Sequence, residues 1–207
     1  MSIWDPYGDW DEIARTPTIK SLQESITGNR GVWRPNFCST ALQYILEHAA
    51  DEARYKLDIE PVCLDFGCGL GRNGSLLRRF FSTVVGADLP EMIQRFKTEE
   101  KFLSRQNYAR LYGSIEQAVS SETFCALYDS VVFQHITDRQ YVEHILSLIC
   151  SASFLQTFVS VHNAAIPTHT LPHISVLIEG GWYIWHSETE NLSFMNAPHK
   201  VVVLRRV

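Results

Sequence analysis

Apolar residues recur along this chain in two alternating rhythms. From Thr40 to Ala53 they fall at helical spacing, at Leu42, Ile45, Leu46, Ala49 and Ala50, behind a Ser39-Thr40 cap signal, so the stretch predicts an amphipathic helix. The run Pro61 to Phe66 is short and continuous and stops at glycine, which predicts a strand buried on both faces. A helix is expected from Asn73 to Phe81, turning Leu76, Leu77, Phe80 and Phe81 inward. Thr83 to Asp88 predicts a second buried strand, and Pro90 at a first helical position, with Glu91 in the first turn, opens the next helix. Ala109 to Tyr112, Tyr128 to Gln134 and Ser153 to Val161 read as a third, fourth and fifth strand. Between the last two, Thr137-Asp138-Arg139-Gln140 reads as a capping box ahead of a helix with the apolar face Val142, Ile145, Leu146 and Ile149. Gly180-Gly181 ends a helix that starts near Leu171, and Trp182 to His186 and Lys200 to Val207 predict a closing pair of strands joined by a polar turn.

Strands alternating with helices imply right-handed crossovers, hence a doubly wound α/β fold. The expectation is a mostly parallel seven-stranded sheet with helices on both faces and an antiparallel last strand, because two strands joined without a helix must run in opposite directions. With 207 residues, 45% of them hydrophobic, the chain is long enough for one compact domain with a sizeable core. Within it, residues 1–60 are expected to form an N-terminal helical segment and residues 61–207 the α/β core. A net charge of −5 argues against a protein that holds nucleic acid by neutralising phosphates. The five cysteines, Cys38, Cys63, Cys68, Cys125 and Cys150, form no C-x-x-C pair and read as reduced thiols, most of them in or beside apolar runs. The start of the chain is acidic and aromatic, unlike a secretory signal, and no apolar run reaches the length of a membrane helix. A cytoplasmic protein is the expectation.

The chemistry concentrates in LDFGCGLGRNG, Leu64 to Gly74, directly after the first strand. Gly69, Gly71 and Gly74 satisfy the G-x-G-x-x-G spacing of a dinucleotide site, with a helix to follow. Asp65, two residues ahead of Gly67, opposes that reading, because a carboxylate at the mouth repels a pyrophosphate and suits a ligand bearing an ammonium group. Asp65 could also simply bond backbone N–H groups of the turn.

Asp65, Gly67, Gly69 and Gly71 together resemble the first motif of the class I, Rossmann-like S-adenosylmethionine-dependent methyltransferases, acidic-x-Gly-x-Gly-x-Gly. The resemblance continues at Asp88, at the end of VVGADL, and at YDSVVFQHITD, where Asp129 is expected to begin the fourth strand and Gln134-His135 to end it. It implies S-adenosyl-L-methionine as cofactor, with Asp65, Gly67, Cys68, Gly69 and Gly71 near its amino-acid end and Asp88 accepting both ribose hydroxyls. It further implies Leu89, Ser114 and Ile115 near adenine and Gln134 facing the transfer cleft. Asp88 could instead serve only the helix start at Pro90, Asn73 could cap the preceding helix, and Glu116 could be an ordinary first-turn residue.

Methyl transfer needs an in-line nucleophile, a dry site and a route for the nucleophile's proton. His135 is the expected general base, since an imidazole titrates near neutrality, and His162 with Asn163 forms a second candidate pair for catalysis and substrate orientation. Trp33 and Arg34 are expected to contact substrate from an aromatic N-terminal lid that also contains Trp4, Tyr7, Trp10, Arg30 and Phe37. No metal is expected: Pro172 keeps His169 and His173 off one helical face. The fourth strand lacks the motifs of base-methylating enzymes, so a small-molecule acceptor is expected ahead of a nucleic acid, with a protein side chain or an RNA as open alternatives and no membrane partner. A catalytically silent cofactor-binding module and an NAD-dependent oxidoreductase stay open as alternatives.

Overall fold

Strands that are apolar at every position need cover on both faces, and the chain supplies it. The structure, a computed structural model, describes residues 40–98, 106–136, 138–190 and 198–207. Numbered within those residues, α1 (Thr40–Tyr55) precedes β1 (Val62–Phe66), α2 (Gly74–Leu77), β2 (Thr83–Ala87), α3 (Pro90–Thr98) and β3 (Arg110–Tyr112). Then follow α4 (Ile115–Ser121), β4 (Ala126–Ser130), α5 (Arg139–Ser151), β5 (Thr157–Asn163), α6 (Pro172–Glu179), β6 (Trp182–Glu190) and β7 (His199–Arg206). The sheet has seven strands in the order β3-β2-β1-β4-β5-β7-β6. The first five run parallel, and β7 is antiparallel to both β5 and β6.

Every residue of β1 and β4 is buried. Successive side chains point to opposite faces, so each strand feeds two cores. On one face Leu46 of α1, Leu77 of α2 and Phe96 of α3 pack with Cys63, Val84, Val159 and Val203. On the other, Ala118 of α4, Ile145 of α5 and Leu177 of α6 pack with Leu64, Leu127, Phe158 and Val202. The expected doubly wound fold is therefore present, and α1 is part of its core.

Several boundaries differ from the sequence expectation. The fourth strand stops at Ser130, because Val131 adopts φ +71° and turns the chain out of the sheet. Asp129 accordingly sits near the end of β4 rather than at its start. Phe133-Gln134-His135 is a single 3-10 turn. The helix expected over 73–81 is only α2, after which Arg79 and Phe80 bond three residues back, to Leu76 and Leu77. Asn73 stands at its cap position without a capping side-chain bond. The fifth strand begins at Thr157, four residues later than expected, after a turn closed by Leu155 N–H donating to Ala152.

Helix α5 shows how local chemistry sets a boundary. Its cap is Asp138, whose Oδ1 accepts from Gln140 N at 2.9 Å and Tyr141 N at 3.2 Å. The capping residue is thus one later than the expected Thr137, which lies outside the described residues; the buried face is the expected Val142, Ile145, Leu146 and Ile149. Replacing Asp138 with Ala should cost about 1 kcal/mol, read as a lower denaturation midpoint at unchanged slope.

Candidate functional site

Sheet order reverses between β1 and β4, since β1 continues outward to β2 while β4 lies on its other side. The loops that leave these two strands part there and leave a crevice at the sheet's carboxyl edge. LDFGCGLGRNG leaves β1 on one side of it. Gly67 N and Cys68 N both donate to Ala87 O, at 2.8 and 3.3 Å, so the loop is folded across the end of β2. Gly67, Gly69 and Gly71 have φ of +69°, +53° and +82°, conformations that disfavour any side chain. Two of these glycines are also required by packing: a Cβ at Gly67 would stand 2.0 Å from Val132 Cγ2, and one at Gly71 2.4 Å from Phe96 Cζ. Gly74 has an ordinary backbone, yet a Cβ there would meet Tyr108 at 2.4 Å. For these three positions, the missing Cβ makes room for the protein itself.

Asp88 follows β2 directly. Its Oδ2 accepts from Gly69 N at 2.6 Å and its Oδ1 from Leu89 N at 2.7 Å. One carboxylate therefore fixes the glycine loop and also shapes the approach to α3. Burial raises its pKa to about 6, against the pull of both N–H groups. A carboxylate has about four lone-pair sites, so two are left for further donors.

Asp65 is fully buried. Its Oδ2 accepts from the Tyr108 hydroxyl at 2.5 Å, a partner that neither the ligand-contact expectation nor the alternative of backbone bonds in the turn foresaw. Burial lifts its pKa to about 7; Asp88 raises it further, while Tyr108, Arg72 and Asn73 hold it down. Cys68 is also buried, with Sγ beside the position a Gly86 Cβ would take, so its thiol faces the core.

Across the crevice, β4 ends in strain. Val131 is β-branched and holds φ +71°, while its N–H donates to Val161 O at 2.8 Å. Asp129 closes the turn by accepting Val132 N at 2.9 Å on Oδ1. Its other oxygen accepts the Ser160 hydroxyl at 3.0 Å, and Ser160 Oγ lies 3.0 Å from His173 Nε2. The His173 ring stacks on Phe133 with centroids 4.6 Å apart. Burial raises Asp129 to about 7 and lowers His173 to about 3. This turn carries Gln134 and His135, whose side chains meet at 3.3 Å, and Gln134 Oε1 accepts Asn163 N at 2.8 Å. His135 is half-buried, and desolvation lowers its proton affinity.

Three expected residues thus come together on this side: Gln134, His135 and Asn163. His162 lies in the core at 1% exposure, with both ring nitrogens lacking a hydrogen-bond partner, and burial with Lys200 and His199 nearby lowers its pKa to about 4. Such a group holds a proton too weakly for a base near neutral pH, and its burial in the core does not fit the second catalytic candidate that the sequence suggested. Ser114 caps α4 by accepting Gln117 N at 3.3 Å, and Ile115 is a core residue at 1% exposure, so its side chain does not face a ligand. Glu116 is indeed in the first turn of α4. Leu89 is half-buried and packs on the α1–α3 core. Trp33 and Arg34, with Trp4, Tyr7, Trp10, Arg30, Phe37 and the turn at Asn191, lie outside the described residues, as does the side chain of His169. Among the described residues no group of three or more His, Cys, Asp or Glu could hold a metal ion.

Tyr108, Ser160 and the strain at Val131 were not legible in the sequence. Tyr108 precedes a weak strand and Ser160 sits inside an apolar one; only their partners across the sheet give them roles.

A family model described as a methyltransferase domain matches residues 64–147. Among proteins of curated function, none matches by sequence. Among solved structures, the chain is similar to N-methyltransferase NodS from Bradyrhizobium japonicum WM9 in complex with S-adenosyl-L-homocysteine, at 12% identity, over 98% of each chain, with a TM-score of 0.61. It is also similar to magnesium protoporphyrin IX methyltransferase from Synechocystis PCC 6803 with bound S-adenosylmethionine, at 12% identity, over 97% of this chain and 91% of that one, with a TM-score of 0.53. The bifunctional kinase-methyltransferase WbdD matches at 18% identity with a TM-score of 0.56; the chain covers 45% of its length, and 95% of this chain takes part. The likeness to class I methyltransferases read in the sequence thus holds in the fold and in the matched segment.

Gly67→Ala combines a left-handed φ with a contact on Val132 and should destabilise the fold by about 2–4 kcal/mol, measured by denaturant unfolding. Buried histidines and carboxyls act oppositely on pH dependence. His162 and His173 bind fewer protons folded than unfolded, where histidines titrate near 6.5; the stability they contribute is whole above that pH and lost as pH falls toward about 4. Asp65, Asp88 and Asp129 bind more protons folded than unfolded, so stability falls as pH rises toward about 6 to 7. His162→Leu should therefore lessen the stability lost between pH 6.5 and 5 by about 1–2 kcal/mol, as read from unfolding curves at the two pH values.

Proposed function

We propose that this chain, which has the class I methyltransferase fold and matches the methyltransferase-domain family over residues 64–147, transfers a methyl group from S-adenosylmethionine to an oxygen, nitrogen or carbon nucleophile of a small molecule. The observation that carries the reading is the pairing of two strand-end carboxylates around one glycine loop at the switch point of the sheet. Asp88 spends two acceptor sites on backbone N–H groups and has two left, the number that two ribose hydroxyls would use. When bound, the cofactor supplies an activated methyl on a sulfonium.

The chain's own residues bind, orient and keep the site dry. Gly67, Gly69 and Gly71 supply the left-handed turns that fold the loop, and Gly69 leaves it without a side chain where its N–H meets Asp88. Asp129 holds the exit turn of β4, whose Val132 closes on Gly67, so the two walls of the crevice are in contact at its base. His135 stands on that turn as the group to take the acceptor's proton, because burial lowers its proton affinity and keeps its imidazole neutral near pH 7. Gln134 ties the turn to Asn163, placing both at the acceptor side. The segment that follows β5 would select the acceptor, together with residues 1–39. Support for a small molecule comes from the acidic net charge and from the structural likeness to a magnesium protoporphyrin IX methyltransferase. No helix of the described residues is long and apolar enough to cross a membrane.

Calorimetry should show binding of S-adenosylhomocysteine and none of NAD; the opposite result would overturn the assignment. Asp88→Ala should weaken S-adenosylhomocysteine about 10- to 100-fold, the value of charged hydrogen bonds lost to a ligand. In a screen of small-molecule acceptors with methyl-labelled cofactor, His135→Gln should lower turnover while leaving cofactor affinity unchanged.

A further inference from the structure

Tyr108 is a residue that neither the family match nor the glycine motif assigns. It leads into β3, where Ala109 N donates to Val84 O at 2.9 Å, and its ring is buried on the α1–α3 face of the sheet. Phe96 meets that ring edge-on, with centroids 5.6 Å apart. Ring atoms of Tyr108 stand 3.0, 2.4 and 3.1 Å from where Cβ atoms of Gly71, Gly74 and Gly86 would be. Three glycines therefore yield space to one tyrosine, and its hydroxyl reaches Asp65 at 2.5 Å.

Asp65 has no exposed surface, so a ligand above the loop cannot touch it. It can act only through its charge, which a low-dielectric interior transmits over several ångströms. Whether it carries a charge depends on its neighbours. Burial, Asp88 and Asp129 oppose ionisation; Tyr108, Arg72 and Asn73 favour it; the Cys63 and Cys68 thiols beside it are held neutral by burial. The balance places Asp65 near pH 7, where the loss of one hydrogen bond decides its state. Tyr108 is suited to that task, because burial and Asp65 drive its own ionisation well above the usual range and keep it a donor.

We propose, resting on the reading of the glycine loop as the S-adenosylmethionine site, that Tyr108 is a positioning residue for the cofactor. Its hydroxyl holds Asp65 as a carboxylate beneath the loop, and that charge favours the α-ammonium group at the amino-acid end of the ligand.

Tyr108→Phe keeps the ring against the glycines and removes only the donor. S-adenosylhomocysteine and S-adenosylmethionine affinities would be measured by calorimetry on the full chain from pH 5.5 to 7.5, and titration of the ligand's own α-amino group is common to wild type and variants and drops out of their difference. Wild-type affinity should rise through this window as Asp65 ionises. The variant should match wild type at pH 5.5, where Asp65 is protonated in both, and bind about five- to tenfold more weakly at pH 7.5. Asp65→Asn should show the same weak binding at pH 7.5, and adding Tyr108→Phe to it should cost nothing more. The Asp88 titration is common to wild type and Tyr108→Phe and drops out of their difference. An equal loss at every pH would reduce Tyr108 to packing and overturn the proposal, as would unchanged binding. If wild type bound neither ligand, the function itself would fail instead.

Discussion

Burying a carboxylate costs several kcal/mol unless the group is hydrogen-bonded or stays protonated, and this fold gathers two buried ones, with a third half-buried, at one edge of its sheet. Asp65, Asp88 and Asp129 end or follow three adjacent strands, β1, β2 and β4. Each is answered by specific donors: the Tyr108 hydroxyl, the N–H groups of Gly69 and Leu89, and the Val132 N–H with the Ser160 hydroxyl. The loops of the crevice take their shape from these bonds. All three carboxyls are lifted to about 6 or 7, so the edge is poised to lose protons near neutrality. A structural role alone would be met at lower cost by apolar residues, and the perturbed groups lie where the fold class binds its ligands.

Strain is concentrated at the same edge. Val131 occupies a backbone region that β-branched residues avoid, and it is held there by the strand bond to Val161 on one side and the Asp129 closure on the other. The reward is geometric: the chain leaves β4 abruptly, Val132 closes on the glycine loop, and Gln134 is tied to Asn163 at the end of β5. The buried chain from Asp129 through Ser160 to His173 anchors this turn to α6, so elements far apart in sequence share one constraint.

Much of the architecture was legible beforehand. Short apolar runs marked most of the parallel strands, the first of them stopping at Gly67, and helical spacing marked the faces of α1 and α5, because burial on two faces or one leaves a different period in the sequence. The cap of α5 was legible to within one residue. The end of β4 was not: nothing in Ser130-Val131-Val132 announces a left-handed turn, which propensity assigns to glycine or asparagine. The glycine motif was readable as a ligand loop, but not the fact that Gly67, Gly71 and Gly74 also yield space to Val132, Phe96 and Tyr108.

The residues alone therefore determined the fold class, the order of elements and the place of the glycine loop, because these follow from local pattern and from the few topologies that short connections permit. Tertiary structure decided which carboxylate meets which donor, why Asp65 is fully buried, and why His162 is a core residue while His135 is only half-buried. It also inserted β7 between β5 and β6. Those outcomes depend on contacts between residues tens of positions apart, 43 for Tyr108 and Asp65 and 31 for Ser160 and Asp129, and no periodicity within a segment encodes them.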